Sequence, residues 1–146
     1  MCGIAGIIHK GKSSNVGGEM TAMLQALKHR GPDSTGYAVY GEGQSPEQYV
    51  MRIKVAEAED HAIGRGVHKL IADRIARVDE IREEHGAKVG SKEAPVEHAL
   101  RYVLTHDGDT ASMAAQSDEE TGTEILSVGQ GLELIKDQGD SSDVAG

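Results

Sequence analysis

One stretch of this 146-residue chain constrains its fold more than any other. Between residues 66 and 85, aliphatic side chains recur at intervals of three and four, with charged residues between them. This period places the aliphatic residues on one face of a helix, which needs an apolar surface to pack against. The stripe, in which we include Arg74, consists of Val67, Leu70, Ile71, Arg74, Ile75, Val78 and Ile81. We therefore expect a long amphipathic helix over 66–85, followed by Gly86 as its terminating residue.

The residues around this helix predict a small α/β unit. Alternating or β-branched runs bounded by turn residues are typical of strands. The predicted strands cover 48–55, 96–106 and 124–128, and a short helix is predicted over 132–136. The acidic, Gly- and Ser-containing end at 137–146 indicates a linker or a frayed end.

The N-terminal part predicts three further elements. The run around Ile4, Ile7 and Ile8 indicates a buried strand over 2–9, and Met20, Met23, Leu24 and Leu27 have the spacing of a helix over 19–29. Pro32 cannot continue that helix. A second strand is predicted over 36–40, and we expect it to form a hairpin with the strand at 48–55 through a turn at 41–46.

Composition limits the classes of partner. The formal net charge is −9, and residues 117–146 contribute eight acids against one lysine. An acidic chain argues against a nucleic-acid partner, which needs clustered Lys and Arg. The one cysteine, Cys2, excludes an internal disulfide, so we expect a reducing cytoplasm. No run approaches the roughly 20 apolar residues of a membrane span, so no membrane association is expected.

The histidines and glycines predict no metal or cofactor. None of the histidines has the spacing of a zinc site, and we interpret them as solvated or core residues. The Gly129–Gly131 stretch lacks the third glycine and the downstream acid of a dinucleotide-binding motif. The seven histidines are His9, His29, His61, His68, His85, His98 and His106.

The cysteine at position 2 has a chemical consequence. Loss of Met1 would leave the thiol and a free α-amino group on the same residue. The amine has an unperturbed pKa of roughly 7.7–8.0, which suits a general base or acid at neutral pH. Cys2 would then supply nucleophile and base together, and Gly3 would remove side-chain bulk beside the thiol. Taken alone, a small buried cysteine at the start of a strand is the simpler interpretation.

Two sequence motifs favour a catalytic role for Cys2 over this structural interpretation. The chain begins MCGIAGI at residues 1–7 and continues with HRGPDSTG at residues 29–36. Together they resemble the class II glutamine amidotransferases, which include the glutaminase domains of asparagine synthetase, amidophosphoribosyltransferase, glucosamine-6-phosphate synthase and glutamate synthase. The resemblance covers residues 1–41. Within the family, the chain is most similar to stand-alone subunits related to glutamate synthase.

The resemblance implies a fold and a reaction. The implied fold class is α+β, with incomplete αββα layers of the N-terminal-nucleophile hydrolase type and a small α/β insertion. The implied reaction is attack of the Cys2 thiolate on the side-chain amide of glutamine, release of ammonia, and hydrolysis of a thioester to glutamate. The expected partners are glutamine and a synthase subunit or downstream domain that receives the ammonia. No cofactor is implied.

The second motif also has a physical interpretation. Arg30 is a permanent cation with a planar donor fork, and we expect it to organise the site around Cys2, with a plain structural ion pair as the alternative. Gly31 and Gly36 are expected to allow tight turns near the nucleophile. Asp33 and Ser34 are expected to cap or brace the loop.

The chain departs from the family in two places. We find no His-Thr-Arg sequence to bind the substrate carboxylate, and the nearest match to a His-Asn-Gly oxyanion motif is His106-Asp107-Gly108. Asp107 has an acceptor where an oxyanion needs a donor, so we interpret these three residues as a turn. The missing elements are expected on a downstream segment or a second polypeptide, or the chain is a degenerate relative.

The predicted organisation has three parts. Residues 1–47 form the front of the amidotransferase domain, 48–139 form an insertion-like α/β unit, and 140–146 form a polar tail or linker. Two other functions stay open. One is a non-catalytic interaction module that binds a synthase subunit through the helix at 66–85. In the other alternative, the chain is only a structural remnant of a truncated gene, and it would expose apolar surface.

Overall fold

The computed structural model of the chain describes residues 3–12, 15–30, 34–41 and 45–138. Its contacts divide the chain into two units. The first unit contains Met1–Tyr37 and Ile135–Gly146, and the second unit contains Ala38–Leu134. The division differs in its boundaries from the three predicted parts, and residues 140–146 lie outside the described residues.

The second unit is built on a four-stranded antiparallel sheet with the strand order β3-β4-β2-β5. Two longer helices, α3 and α4, accompany the sheet, and a single-turn helix, α2, precedes α3. The elements in chain order are β2 (Gln48–Lys54), α2 (Ala58–His61), α3 (Gly66–Glu84), β3 (Lys88–Val96), β4 (Ala99–Thr105), α4 (Thr110–Thr121) and β5 (Glu124–Gly129).

One face of this sheet forms the core with the helices. Met51 lies opposite Tyr102, and Ile53 lies opposite Leu100, so the central strands β2 and β4 present large apolar side chains on the same face. The helices contribute apolar side chains to the same buried cluster: Val67, Ile71, Val78 and Ile81 from α3 and Met113 from α4. Burial of each such side chain contributes about 1.5–3 kcal/mol relative to exposure.

The long helix is confirmed. Helix α3 buries four members of the predicted stripe, and Gly86 follows its end with φ = +74°. The Gly86 N–H donates to the Glu83 carbonyl at 2.9 Å, and the Ala87 N–H donates to the Arg82 carbonyl at 3.0 Å. Glycine adopts this left-handed conformation without steric cost, which explains why the helix stops there.

Three elements of the second unit were missed: the single-turn helix α2, strand β3 and helix α4. Strand β3 is exposed along nearly all its length, so it lacks the alternation that marks a half-buried strand. Helix α4 buries only Met113 and Ser117, which is too short a stripe to recognise. The Asp109 side chain caps α4 by accepting hydrogen bonds from the backbone of Ala111 and Ser112 at 2.9 and 3.2 Å.

The first unit contains helix α1 (Val16–Ala26), a 3-10 turn at Lys28–Arg30, and parts of two strands. These strands, β1 (Ser34–Tyr40) and β6 (Leu132–Gln138), pair with each other in a two-stranded sheet. The helix predicted at 19–29 and the strand predicted at 36–40 are therefore both present, although their bounds differ from the predicted ones. Helix α1 begins three residues earlier than expected.

Three predictions of local structure were wrong. The hairpin between 36–40 and 48–55 does not form, because both edges of β2 are already paired with β4 and β5. Residues 132–136 are part of β6 rather than a helix, because pairing with β1 outweighs the helix propensity of Leu, Glu and Lys. Residues 3–9 form no strand, because they belong to neither sheet of the described chain.

The architecture is α+β, with helices and two separate sheets. The αββα layering implied by the family resemblance stays a prediction, as does the division at residues 47 and 139.

Candidate active site

The candidate nucleophile and its partners are described only in part. Cys2 and Gly31 lie outside the described residues, as do Pro32 and Asp33. Arg30 is described: it is exposed and ends the 3-10 turn after α1. The backbone N–H of Arg30 donates to the Leu27 carbonyl at 2.9 Å, so the turn fixes Arg30 relative to the end of the helix.

Gly3 brings the N-terminal segment against this turn. A β-carbon built on Gly3 would lie 3.1 Å from the Cβ of Leu27 and 3.6 Å from the Cβ of Arg30. The first distance is tighter than ordinary packing, so the absent side chain allows the approach. The residue that directly follows Cys2 therefore lies beside Arg30.

The rest of the N-terminal segment lies along α1. His9 Nε2 is 2.5 Å from a carboxylate oxygen of Glu19, in the first turn of the helix. Gly3 contacts the residues after the other end of the same helix. Residues 3–9 thus run beside α1 in the opposite direction, with Gly3 at the end next to the Lys28–Arg30 turn.

The turn has a favourable electrostatic setting. Lys28, His29 and Arg30 follow directly after the C-terminal end of α1, where cations interact favourably with the helix dipole. The hydroxyls of Thr21 on α1 and Tyr37 on β1 are 3.4 Å apart, which links the helix to the strand that begins within the motif. Gly36 lies inside β1, where a β-carbon built on it would be 3.5 Å from the Ile135 carbonyl oxygen, so the prediction that it forms a tight turn was wrong.

The His106-Asp107-Gly108 sequence forms the bend between β4 and α4 in the second unit, which confirms the predicted turn. His106 is 5% exposed, and neither ring nitrogen has a hydrogen-bond partner among the described residues. A β-carbon at Gly108 would lie 2.8 Å from the imidazole ring of His106, so a larger residue there would require the ring to shift. The following Asp109 is occupied as the cap of α4.

A charged cluster in the second unit was missed from the sequence. Arg52 and Arg101 lie directly opposite each other on β2 and β4, on the face of the sheet away from the helices. Like charges in this position destabilise a sheet. Glu133 of β6 accepts hydrogen bonds from Arg52 at 2.7 Å and from Arg101 at 3.0 Å. Because residues 132–136 were predicted as a helix, nothing in the sequence indicated this contact.

The two arginines favour the ionised form of the Glu133 carboxyl. The Arg101 guanidinium, followed by that of Arg52, holds the pKa of the Glu133 carboxyl below its usual value against the opposing effect of burial.

A cavity of about 80 Å³ opens beside Glu133 and the glycines Gly129 and Gly131. Small-molecule sites usually measure roughly 300–1,000 Å³, so this cavity is too small for glutamine.

The described residues contain no group of three or more His, Cys, Asp or Glu side chains placed to hold a metal ion. The His61 and His98 rings meet edge to face with centroids 6.0 Å apart. In the same described part of the chain, no helix combines the length and the apolar character needed to cross a bilayer.

Comparison with known proteins gives one informative similarity. The chain is 31% identical over 147 residues to a protein of Methanothermobacter thermautotrophicus named "Putative glutamine amidotransferase". The match covers 99% of this chain and 46% of that protein, so the chain spans about half the length of its curated relative. No protein-family model matches the sequence. No solved structure matches it either.

Proposed function

We propose that this chain is the nucleophile-bearing part of a class II glutamine amidotransferase, with Cys2 as the catalytic residue. The observation that carries the proposal is the contact of Gly3 with the Arg30 turn, because it brings together the two motifs, at residues 1–7 and 29–36, on which the family resemblance rests. The similarity to the Methanothermobacter protein over nearly the whole chain supports glutamine amidotransferase activity in general.

In this mechanism the first residue of the processed chain supplies both the nucleophile and the general base. After removal of Met1, the α-amino group of Cys2 takes the thiol proton, and the thiolate attacks the side-chain amide carbon of glutamine. The carbon–nitrogen bond breaks, and the protonated amine returns its proton to the leaving nitrogen, which departs as ammonia. Water then cleaves the γ-glutamyl thioester, releasing glutamate and restoring the thiol. The ammonia passes to a synthase partner.

Arg30 and Gly31 organise the site in this proposal. The Arg30 guanidinium is permanently charged and carries five N–H donors in a planar fork, so it can hold the backbone or a carboxylate near Cys2. Its backbone is fixed by the 3-10 turn, which limits the volume that the guanidinium can reach. Gly31 lies outside the described residues, and its role in allowing a tight turn near the nucleophile stays a prediction.

The oxyanion donors and the arginine that binds the substrate carboxylate come from another segment or polypeptide. His106-Asp107-Gly108 is a poor source, since it is committed to the bend before α4 and Asp107 offers an acceptor. Loss of one oxyanion donor typically lowers the rate by about 10²–10³-fold. The chain by itself is therefore expected to react at Cys2 but to turn glutamine over slowly.

Protection of Cys2 from alkylation tests this function. The purified chain is treated with a glutamine-analogue chloroketone, and the fraction modified is followed over time by intact mass, with and without L-glutamine. We expect L-glutamine to slow modification, and we expect L-asparagine at the same concentration to have no effect. Cys2→Ser is the matched control and should not be modified. A Cys2 that the chloroketone leaves unmodified would contradict the proposal and favour the non-catalytic interaction module.

A further inference from the structure

The two central strands of the second unit carry arginines that face each other. Arg52 of β2 and Arg101 of β4 lie directly opposite, on the face of the sheet away from the helices. Their side chains are 19% and 21% exposed, so both cations are largely shielded from water. Like charges in this position repel each other, and local conflicts of this kind are expected at functional sites.

The carboxylate of Glu133 is shared by both arginines. It accepts hydrogen bonds from Nε of Arg52 at 2.7 Å and from Nε and Nη2 of Arg101, both at 3.0 Å. The two contacts with Arg101 form the bidentate fork through which guanidinium groups recognise carboxylates. Glu93 lies farther away, at 3.7 Å from Arg101, and its side chain is 60% exposed. One closely bound carboxylate between two guanidinium groups leaves an excess of positive charge at this point of the sheet.

A small cavity adjoins Glu133. It measures about 80 Å³ and is lined by Val50 and Leu132 and by the glycines Gly129 and Gly131. A cavity of roughly 150 Å³ can hold benzene, so a volume near half of that suits two or three non-hydrogen atoms. The space beside the bound carboxylate therefore matches a short apolar group.

We propose that the Arg52–Arg101 pair is a binding site for a small carboxylate of two or three carbons, and that Glu133 occupies this site as an internal ligand. A free carboxylate replaces Glu133 between the guanidinium groups, and its short apolar part enters the neighbouring cavity. The planar fork of Arg101 selects a carboxylate over a spherical anion such as chloride. The site lies wholly within the second unit, so it is independent of Cys2 and of the proposed function.

Glu133 and the free ligand compete for the same donors. A group tethered next to its binding partner acts at an effective concentration in the millimolar range, so the parent chain binds a free carboxylate weakly. Glu133→Ala removes the tethered carboxylate and vacates its place. We therefore expect the apparent Kd of acetate to be at least about 10-fold lower in Glu133→Ala than in the parent.

NMR measures this binding at the site itself. Acetate is titrated at constant ionic strength, and the Nε–H signals of Arg52 and Arg101 are followed in the parent and in Glu133→Ala. Acetate should move these signals in both chains, at a lower concentration in the variant. Glu93→Gln is the matched control, because it removes an exposed carboxylate near Arg101 and should bind acetate as the parent does. If Glu133→Ala does not fold, Glu133→Gln replaces it and should also bind acetate more tightly than the parent.

A double variant tests whether the arginines hold the ligand. Glu133→Ala combined with Arg101→Met should lose acetate binding, read from the Arg52 signal and from a urea midpoint that acetate no longer raises. The proposal is overturned if acetate leaves the arginine signals of the parent unmoved, or if removal of the Glu133 carboxylate brings no gain in affinity. It is also overturned if the double variant still binds acetate, or if chloride or phosphate at the same ionic strength moves the signals as acetate does.

Discussion

A β-carbon on Gly3 would stand 3.1 Å from the Cβ of Leu27, closer than side chains normally pack. Gly3→Ala should therefore push residue 3 away from the end of α1 by a few tenths of an ångström, and should move Cys2 with it. Small misplacements of a reacting group are costly, so we expect modification of Cys2 by the glutamine-analogue chloroketone to slow about 3- to 10-fold. The measurement is the rate of modification followed by intact mass.

The neighbouring glycine gives the control for this prediction. A β-carbon on Gly6 would meet nothing within 4 Å, so Gly6→Ala should react at the parent rate. An unchanged rate for Gly3→Ala would mean that the contact with Leu27 and Arg30 does not position the thiol.

Glu133 is expected to stabilise the second unit. It bridges Arg52 and Arg101, so Glu133→Gln leaves two guanidinium groups facing each other across adjacent strands. We expect the free energy of unfolding to fall by about 2 kcal/mol, as for hydrogen bonds to charged groups. Urea unfolding followed by circular dichroism measures this loss. Glu93→Gln is the matched control, because Glu93 is 60% exposed and lies 3.7 Å from Arg101, and it should cost less than about 0.5 kcal/mol.

The same cluster predicts a pH dependence. The pKa of Glu133 in the folded protein lies below its usual value of 4.5, chiefly because Arg101 donates to the carboxylate. The folded state therefore binds this proton less readily than the unfolded state, and the stabilisation is present above the unfolded pKa and lost as the pH falls through the folded pKa. The difference in urea midpoint between the parent and Glu133→Gln should shrink below about pH 4.5. A difference that stays constant from pH 6 to pH 3 would contradict this account.

Tyr102 is expected to contribute to the stability of the folded chain through its hydroxyl. The side chain is fully buried, and its O–H donates to Asp79 at 2.9 Å, while burial and the Asp79 carboxylate raise the pKa of Tyr102. Tyr102→Phe should destabilise the chain by about 1 kcal/mol by removing this hydrogen bond. Tyr40→Phe, at a 78% exposed position, should leave the thermal midpoint unchanged. Equal midpoints for Tyr102→Phe and the parent would show that the hydrogen bond adds nothing to stability.

The sequence predicted best those elements whose burial follows a regular period. Val67, Ile71, Val78 and Ile81 repeat along α3, and Leu100, Tyr102 and Leu104 alternate along β4, so both elements could be recognised from one-sided burial. Strand β3 and helix α4 bury too few side chains to show a period. Their position depends on contacts with residues distant in sequence, which no local pattern contains.

Pairing of strands could not be predicted for a related reason. Residues 36–40 and 48–55 were expected to pair because they are close in sequence, but β1 pairs with β6, almost a hundred residues away. The contact of Glu133 with Arg52 and Arg101 depends on the same long-range arrangement. For the candidate site, the motif at residues 29–36 indicated Arg30 as a site residue. The contact of Arg30 with Gly3 could be found only from the structure.

In the proposed mechanism, a processed N-terminal cysteine supplies the thiol and the amine for attack on a carboxamide. Intact-mass spectrometry of the expressed protein, before and after treatment with the glutamine-analogue chloroketone, tests it most directly. We predict a chain that begins at Cys2 and gains one adduct, on the thiol of that residue. A chain that retains Met1, or one that gains no adduct at Cys2, would contradict the claim.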